Sequence, residues 1–495
     1  MTPTTRSLAF LVGACLIAFS ASAAGAQTVN EDWAARYTQG ADDDEAVDID
    51  LDPQGNVYIT GRCIRSTQTW DYDYLTIKYD SSGQQLWAQP YNSPDNGDDR
   101  AYAIDVDSAG NVFVTGESDG DCVTIKYNTN GDPVWEKRTE NACGYDIQVE
   151  PLGENNVFVT GKSGSNCFTI RYNSYLNGQI VWTKTDVAGV GNALAVTYGS
   201  DVYITGINGA SPSDYLVVKY AFANGNRLWS RTFDRGGVDE AHDVVIDYEA
   251  NVYVTGESRT AETDWDAATV SWDMNGNFRW SAVYNGPANG WDKAYAIGLC
   301  DYGHVRIAGF SENAGGNRDF LAVKYDGTNG NQMWASTYNS PDNLRDVAYD
   351  LAIDGDRSVY LTGYTRNAAG DDDYLTVKFD ALGAFQWAMT FAGPNGRGYL
   401  DDEAAAIVVG ENDYVYVTGK SYGPSSDDDC LTIRYSQPND CPADFDGDGD
   451  VDTADLLILL AQWGSDGSAG GDVDGDGDVD TADLLALLAA WGLCP

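Results

Sequence analysis

The chain of 495 residues is poor in histidine and in basic side chains. It contains two histidines, His242 and His304, and 29 lysines and arginines against 76 aspartates and glutamates, for a net charge of −47. Two histidines leave little room for Ser-His-Asp or Cys-His catalysis, or for a histidine-rich catalytic metal site. A surface this acidic repels phosphate backbones, so a nucleic acid partner is not expected. It suits calcium, a basic protein or a neutral glycan.

Long hydrophobic runs are missing beyond the N-terminus. Residues 8–19 are apolar, follow the single charge of Arg6 and lead to small residues ending at Ala26, which predicts a secretory signal over residues 1–26. Cys15 follows a loose lipobox, but the apolar run continues past it, which argues against a lipoprotein. No later segment approaches the roughly 20 apolar residues of a membrane span. The sequence therefore predicts a protein that is secreted, extracellular or at the cell surface.

Cysteine is sparse as well. The chain has nine cysteines, and removal of the signal takes Cys15 with it. Because export brings the other eight into an oxidising compartment, disulfides are expected. Only one pairing follows from position, between Cys441 and Cys494, which bracket the acidic tail. The sequence gives no connectivity for the remaining six, Cys63, Cys122, Cys143, Cys167, Cys300 and Cys430.

Internal repetition is what the chain has in abundance. The string GNVYITG at 55–61 is the first of eight similar copies, the last being DYVYVTG at 413–419, with a period of about 51 residues. Each copy is preceded by a run such as AYAIDVD and followed by a run such as DYLTIKY, and in the first seven units a turn and a tryptophan come next. Four short strands per unit, repeated eight times, predict an all-β protein with an eight-bladed β-propeller over residues 27–435.

The two ends of the repeat region complement each other. The eighth unit lacks its tryptophan strand, because Tyr435 runs straight into the tail. The mature chain opens with EDWAARY at 31–37, which aligns with QLWAQPY at 85–91. Trp33 therefore supplies the eighth tryptophan, and the N-terminal strand is predicted to complete the last blade. Such closure removes two exposed sheet edges.

These units resemble a known family of repeats. The VYVTG runs and the D-x-x-G-x-x-x-W turn, as in Asp80 to Trp87, resemble the bacterial SBBP-type β-propeller repeat and, more loosely, the tryptophan-docked propellers of quinoproteins. The resemblance covers roughly residues 31–435 and implies the propeller fold. It says almost nothing about function, because one fold hosts many activities.

The loops differ between the two faces of the predicted disc. We letter the strands of a blade a to d; the a–b and c–d turns are short, whereas the b–c and d–a loops vary in length and hold the acidic runs. Variable loops on a rigid scaffold are where binding usually occurs, so the long-looped face is the predicted binding surface. The alternative is that these aspartates only cap strands and keep the protein soluble. The runs are Asp42 to Asp44, Asp98-Asp99, Asp371 to Asp373, Asp401-Asp402 and Asp427 to Asp429.

Three recurrent positions have structural interpretations. The acid before strand a is expected to accept hydrogen bonds from loop backbone N–H groups, and the basic residue of strand c to form an ion pair or hydrogen bond between strands. The tryptophans are expected to pack between blades, with a glycan platform as the alternative. The acids are Asp44, Asp99, Asp239, Asp292, Asp346 and Asp402, and the basic residues are Lys78, Lys126, Arg171, Lys219, Lys324, Lys378 and Arg434.

The tail, DFDGDGDVDTADLL at 444–457 and DVDGDGDVDTADLL at 472–485, holds two copies of a calcium-loop pattern. Acids stand at positions 1, 3, 5, 7, 9 and 12 of each twelve-residue loop, with glycine at 6, which is EF-hand spacing except that Asp replaces Glu at position 12. Oxygen ligands without Cys or His select calcium over zinc, so two calcium ions are predicted. The ligands are Asp444, Asp446, Asp448, Asp450, Asp452 and Asp455, then Asp472, Asp474, Asp476, Asp478, Asp480 and Asp483.

Each loop leads into a predicted helix, and no helix precedes it. This duplicated loop-helix pattern over residues 441–495, after a short linker at 436–440, resembles a type I dockerin. The resemblance implies a cohesin-like partner in an extracellular polysaccharide-degrading assembly. In that family loop positions 10 and 11 help to choose the partner; here they are Thr453, Ala454, Thr481 and Ala482.

The favoured interpretation is a non-catalytic binding or scaffold protein. Its propeller would recognise a glycan or a surface protein, and its tail would dock it, with calcium, to an extracellular assembly or surface. One rival is a propeller glycoside hydrolase or lyase that uses paired carboxylates; the other is a purely structural surface protein. Carboxylates clustered at the central channel would favour the enzyme.

Overall fold

The computed structural model describes residues 29–38, 43–64, 71–151, 156–196, 201–260, 264–300, 303–393, 401–410, 413–423, 428–437, 443, 445, 450–465, 473, 479–489 and 491–493. The predicted signal, Cys441, Cys494 and seven predicted calcium ligands (Asp444, Asp446, Asp448, Asp472, Asp474, Asp476 and Asp478) lie outside these residues. No helix in the described part of the chain is long and apolar enough to cross a membrane.

The described residues form eight four-stranded antiparallel sheets and a small helical tail. The N-terminal strand is β1 Asn30–Tyr37. Blade 1 contains β2 Glu45–Leu51, β3 Val57–Ile64, β4 Tyr72–Tyr79 and β5 Gln85–Tyr91, and blade 2 contains β6 Asp99–Val106, β7 Val112–Ser118, β8 Asp121–Tyr127 and β9 Pro133–Thr139. Blade 3 contains β10 Ala142–Val149, β11 Asn156–Ser163, β12 Asn166–Asn173 and β13 Gln179–Lys184, and blade 4 contains β14 Gly189–Val196, β15 Val202–Asn208, β16 Tyr215–Tyr220 and β17 Arg227–Phe233. Blade 5 contains β18 Asp239–Ile246, β19 Val252–Arg259, β20 Trp265–Trp272 and β21 Phe278–Tyr284, and blade 6 contains β22 Asp292–Cys300, β23 His304–Glu312, β24 Arg318–Tyr325 and β25 Gln332–Tyr338. Blade 7 contains β26 Asp346–Ile353, β27 Val359–Arg366, β28 Asp372–Phe379 and β29 Phe385–Phe391. Blade 8 contains β30 Glu403–Val409, β31 Val415–Tyr422 and β32 Asp428–Ser436, together with β1.

The blades close into a ring in the predicted way. Strand a of every blade contacts strand a of both neighbours, from β2 around to β30 and back, so the a strands surround a central channel. Blade 8 has the order β1-β32-β31-β30, in which Trp33 pairs with Arg434. Strands b and c are buried along nearly their whole length, which explains their near-continuous apolar runs. The eight-bladed all-β propeller and its closure by the N-terminal strand are confirmed.

The tryptophans of the d strands fasten each blade to the next. The indole N–H of Trp33 donates to the carbonyl of Ser81 at 3.2 Å, and its ring covers Gly83 in the same turn of blade 1. Equivalent bonds run from Trp87, Trp182, Trp229, Trp280 and Trp334 to the second residue of the next c–d turn. The predicted packing role is therefore confirmed.

The last docking contact uses a side chain in place of a turn. Blade 8 has no c–d turn, because the chain leaves for the tail after β32. Gln437 fills the position: its carbonyl oxygen accepts from Trp387 Nε1 at 3.0 Å and from Lys378 Nζ at 3.1 Å, while its amide donates to the Tyr360 hydroxyl at 2.5 Å. The segment read as a linker thus begins inside the propeller.

The recurrent acids and bases have the predicted structural roles. Asp99, for example, is fully buried and accepts the Ser93 backbone N–H at 2.7 Å, and Asp239, Asp292, Asp346 and Asp402 accept loop N–H groups at 2.7–2.9 Å. Burial raises the pKa of these five carboxyls. Lys78 bonds the Thr129 hydroxyl of the next blade at 3.2 Å and lies 3.7 Å from Asp52.

The described cysteines carry no disulfide. Cys63, Cys122, Cys143, Cys167, Cys300 and Cys430 are all buried, free thiols. Their surroundings are blade interiors, so burial and not cross-linking explains cysteine at these positions. The expectation of disulfides is therefore not met among them.

The described tail consists of two equivalent halves. Helix α1 Thr453–Ala461 starts at the N-cap Asp452 with a capping box to Asp455, and helix α2 is Thr481–Ala489. Two short strands, β33 Asp450–Val451 and β34 Gly492–Leu493, pair Val451 with Gly492. Val479 is the counterpart of Val451, 28 residues later in the chain, and its backbone carbonyl accepts the Gly464 N–H at 2.8 Å. The shared core is Ala443, Val451, Leu459, Val479 and Leu487.

Candidate functional site

A β-bulge in every a strand aims one side chain at the channel. The register with strand b shifts once in each blade, for instance between Ala101 and Ala103, so that one residue is unpaired. Because the bulge lies in the first half of the strand, these residues surround the channel near the long-looped face. They are Val47, Tyr102, Tyr145, Asn192, His242, Tyr295, Tyr349 and Ala405.

Most of the bulge residues are aromatic, and neighbouring rings contact each other around the mouth. Tyr102 meets Tyr145 edge-on at 5.8 Å between centroids. On the other side, Tyr295 lies 5.4 Å from His242 and 6.0 Å from Tyr349. Tyr364 of strand b extends this arc, 5.7 Å from Tyr349. We call these six residues the aromatic mouth.

Charged side chains lie against the aromatic mouth. The Arg318 guanidinium stands 4.4 Å over Phe310, which packs on Tyr295, and Arg345 stands 5.2 Å over Tyr364. An ion pair between the half-buried Lys293 and the buried Glu257 borders His242, with 2.6 Å between Nζ and Oε2.

Glu257 also lies 3.8 Å from the His242 imidazole, at Nε2. Burial acts to raise the pKa of Glu257, but its interactions with His242 and Lys293 outweigh burial and lower that pKa. The mouth thus offers flat apolar rings beside groups that donate and accept hydrogen bonds.

Three groups of described residues bring potential metal ligands within 4.8 Å of one another: Glu240, His242 and Glu257; Asp214, Asp234 and Asp239; and Asp372, Asp401 and Glu403. Cations of the chain already pair with the first and third groups. Lys293 pairs with Glu257, and Arg366 binds Asp372 through two bonds of 2.7 and 2.9 Å. In these two groups a carboxylate is therefore already neutralised by a cation of the chain.

Below the aromatic mouth, four carboxylates form a ring in the channel. Strand a carries aspartate just after the bulge in blades 1, 3, 5 and 7, and alanine in the four blades between them. Each carboxylate accepts the next residue's N–H and a backbone N–H of the following blade, as Asp48 does from Ile49 and Ile104, both at 2.8 Å. The ring is Asp48, Asp146, Asp243 and Asp350.

This ring is electrostatically strained. Burial raises the pKa of all four carboxyls, to about 7 for Asp146 and Asp350 and about 6 for Asp243, and repulsion between ring members adds to the rise for Asp48, Asp146 and Asp350. Backbone hydrogen bonds act in the opposite direction. Two residues further along the strand in blade 1, burial also raises the pKa of Asp50, to about 6, and that of its neighbour Asp105 in blade 2.

The opposite mouth, on the short-turned face, opens into a cavity of about 1220 Å³. It is lined by a–b turns of blades 1 to 3 and by blade 8, including Asp105, Gln148 and Tyr414. The sequence placed binding on the long-looped face only, and it gave no sign of this recess. A cavity at the hub follows from the ring of eight blades, because eight a strands stand too far apart to fill the centre.

In the tail, the described calcium-loop residues keep equivalent positions. Asp455 and Asp483, at loop position 12, are fully buried. The two oxygens of Asp455 accept the backbone N–H groups of Phe445 at 2.6 Å and Asp452 at 2.8 Å, and those of Asp483 accept from Val473 and Asp480 at 2.6 and 2.7 Å. In each half a buried carboxylate thus connects the start of the helix to the backbone ten residues earlier, and a carboxylate at this position is the residue type that the predicted calcium loop requires.

The predicted partner-binding residues stand at the helix starts. Thr453, Thr481 and Ala482 are exposed, and Ala454 is half-buried. Each half also exposes a stripe, two leucines on the helix and a tryptophan two residues after its end, that the sequence alone did not single out: Leu457, Leu460 and Trp463, and 28 residues later Leu485, Leu488 and Trp491. The spacing of three residues, which places a stripe on one helix face, could have revealed it.

Comparisons with known proteins concern the propeller. A PQQ-type repeat family model, described as outer membrane protein assembly factor BamB, matches residues 74–297, less than half of the chain. No curated protein matches in sequence.

Among solved structures, Sqt1 from Chaetomium thermophilum is 12% identical with a TM-score of 0.54, covering 83% of this chain and 100% of that one. The Dos1 propeller is 9% identical with a TM-score of 0.51, covering 82% and 95%. The quinohemoprotein alcohol dehydrogenase from Comamonas testosteroni is 11% identical with a TM-score of 0.50, covering 82% and 76%. At these identities the likeness shows the fold alone. The chain is thus an eight-bladed propeller that is similar to the BamB-type repeat family over residues 74–297.

Proposed function

We propose that this chain is an exported, non-catalytic binding protein whose propeller holds a polysaccharide at the aromatic mouth. The observation that carries the proposal is the arc from His242 through Tyr295 and Tyr349 to Tyr364, with Arg318 and Lys293 beside it. Sugar rings have apolar C–H faces that pack on aromatic rings, and hydroxyls that need donors and acceptors at the rim. A site with flat rings and a few polar groups meets both needs.

The channel carboxylates favour a second candidate, a glycoside hydrolase or lyase, because their raised pKa values suit proton transfer. Their hydrogen bonds argue against it. Both oxygens of each ring aspartate already accept backbone N–H groups, as in Asp350 with Leu351 and Ile407. Such bonds join blade to blade, which is a structural task. Sugar release in the experiment below separates the two candidates.

The tail, in this proposal, docks the propeller to an extracellular assembly or surface. Asp455 and Asp483 would each complete the oxygen shell of one calcium ion, together with the other acids of their loops. The exposed leucine–tryptophan stripes of α1 and α2 supply an apolar contact area, with Thr453 and Thr481 at its edge. Since the halves are equivalent, either could face a cohesin-like partner.

Depletion from solution by insoluble polysaccharides tests the propeller. We expect the full chain to be removed by one or two polymers, and Tyr295→Ala to weaken this binding about two- to tenfold, because a stacked ring contributes roughly 0.5–1.5 kcal/mol. Tyr248→Ala, at a fully exposed tyrosine in the a–b turn of blade 5, is the control and retains binding. No depletion by any polymer, or equal loss in both variants, would contradict the proposal.

Calorimetric titration of EDTA-treated protein with calcium tests the tail. The wild-type chain should bind two more ions than the Asp455→Ala, Asp483→Ala double variant, and each single variant one more than the double variant. Calcium should also increase the helical circular dichroism, because it offsets the repulsion among the carboxylates of each loop and so stabilises α1 and α2. Asp273→Ala, in the c–d turn of blade 5, is the control. Unchanged stoichiometry in the double variant would refute the two sites.

A further inference from the structure

An arginine lies between two aromatic side chains at the edge of the aromatic mouth. The Arg318 guanidinium stands 4.4 Å over the ring of Phe310 and 5.5 Å from that of Trp291. Phe310 is fully buried and packs on Tyr295, with 6.2 Å between ring centroids. Trp291 lies in the d–a loop immediately before β22 and is 40% exposed. Arg318 is therefore placed between the rings of the channel and an exposed tryptophan on the long-looped face.

Arg318 has no counter-ion among the described residues. Its side chain forms neither an ion pair nor a hydrogen bond with them. Glu312, its partner in the β23–β24 ladder, accepts the Trp291 backbone N–H at 3.4 Å. In a chain with 76 acidic residues, an arginine without a carboxylate partner points to an anionic ligand. Other arginines of this face pair with carboxylates of the chain at 2.7–3.1 Å, namely Arg36–Asp429, Arg138–Asp121, Arg235–Asp266 and Arg366–Asp372.

The aromatic neighbours decide which part of the guanidinium a ligand can reach. Aromatic rings contact a planar guanidinium through its faces, whereas its five N–H donors lie in its plane. Phe310 and Trp291 thus hold Arg318 in place and leave these donors for another group. Two parallel N–H donors match the two oxygens of a carboxylate, and such bidentate pairs are among the strongest hydrogen-bonded contacts.

We propose that the polysaccharide bound at the aromatic mouth contains uronic acid units, and that Arg318 binds the carboxylate of one unit. This inference rests on the proposed function, whose ligand class it narrows. A uronic acid carries its carboxylate on the sugar ring itself. Neighbouring units can therefore lie with their apolar faces on Tyr295 and Trp291 while a carboxylate between them contacts Arg318.

The negative charge of the whole chain does not prevent this contact. From the net charge of −47 alone a neutral glycan is expected, because a polyanion is repelled at long range. At physiological ionic strength, however, solvent-exposed charges more than about 8 Å apart are largely screened. The group in direct contact with the ligand then decides, and at this position that group is a cation.

Affinity for matched polymers tests the inference. Polygalacturonate, polyglucuronate and alginate are each compared with their methyl esters, which keep the sugar backbone but remove the charge. Binding to the full chain is measured by titration calorimetry at about 0.15 M salt. EDTA is present to prevent calcium from linking the polymer to the acidic tail. We expect at least one polymer to bind about tenfold or more tightly as the acid than as the ester.

Substitution of Arg318 locates the contact. Arg318→Gln should weaken binding of the acidic polymer about ten- to hundredfold, the range for hydrogen bonds to a charged group, and leave binding of its ester unchanged. Arg279→Gln is the matched control and should retain binding. Arg279 also stands over an aromatic ring, that of Tyr253 at 5.4 Å, but it lies next to the c–d turn on the opposite face.

The possible failures can be told apart. Equal affinity for acid and ester, tighter binding of dextran sulfate than of every uronate polymer, or the same affinity in Arg318→Gln and Arg279→Gln would overturn the inference. If the esters bind as well as the acids and Tyr295→Ala weakens both, the proposed function stands without it. If no polymer binds, acidic or esterified, the proposed function fails as well. Should Arg318→Gln not fold, the comparison of acid with ester in the wild-type chain still decides.

Discussion

At the scale of single residues, the glycines beneath the docking tryptophans hold the blades together. Gly330 has φ +74°, and a Cβ added there would lie 2.6 Å from the Trp280 ring. Gly330→Ala should lower the free energy of unfolding by about 2–4 kcal/mol, because backbone strain adds to displacement of the indole. Urea unfolding of the full chain measures this loss.

The same blade offers a control. Gly316 has φ +80° but no atom within 4 Å of an added Cβ. Gly316→Ala therefore incurs only the backbone strain, about 1–2 kcal/mol. If the two variants lose equal stability, the tryptophan contact is not what Gly330 protects.

At the scale of elements, the strand pattern and the ring closure could be predicted because they depend on local sequence. The eight VYVTG runs alternate with turns that contain glycine, and the surplus Trp33 strand matches the deficit after Tyr435. The buried loop acids, such as Asp346, could also be predicted, since repetition at one position in most blades indicates a role within the blade. The strand pattern, the ring closure and the loop acids could be predicted without knowing in which direction each side chain points.

The aromatic mouth could not be predicted in this way. A single-residue register shift turns a strand's side chains to the opposite face. In AYAIDVD the alternation of side chains along the strand does not indicate which way Tyr102 points. Only the shift in β6–β7 pairing between Ala101 and Ala103 indicates that it faces the channel. Tyr recurs at the same position in blades 2, 3, 6 and 7, with His242 in blade 5, and this recurrence was the available signal.

At the scale of the whole molecule, four aspartates with raised pKa values surround the channel. Aspartate in every second blade gives the ring fourfold symmetry within an eightfold scaffold, so Asp48 is repelled by the charges of Asp146 and Asp350 on either side. Each of the four carboxylates also bonds the next blade. The hydrogen bonds stabilise the closed ring, while the repulsion opposes it, and pH shifts the balance between them.

The stability of the propeller should therefore fall as pH rises from 5 to 8. Burial first, then mutual repulsion, holds the pKa of Asp350 at about 7, well above that of an unfolded aspartate. The folded state thus keeps protons that the unfolded state releases, and the resulting stabilisation is complete below about pH 4 and lost as pH passes through 7. Asp350→Asn should flatten the slope of unfolding free energy against pH by up to about 1.4 kcal/mol per pH unit between 5 and 7.

Asp273→Asn, at an exposed turn carboxyl whose pKa is lowered mainly by its hydrogen bonds to Asn277, should leave that slope unchanged. Urea unfolding at a series of pH values measures both slopes, and equal slopes in the wild type and Asp350→Asn would show that the ring does not titrate in this range.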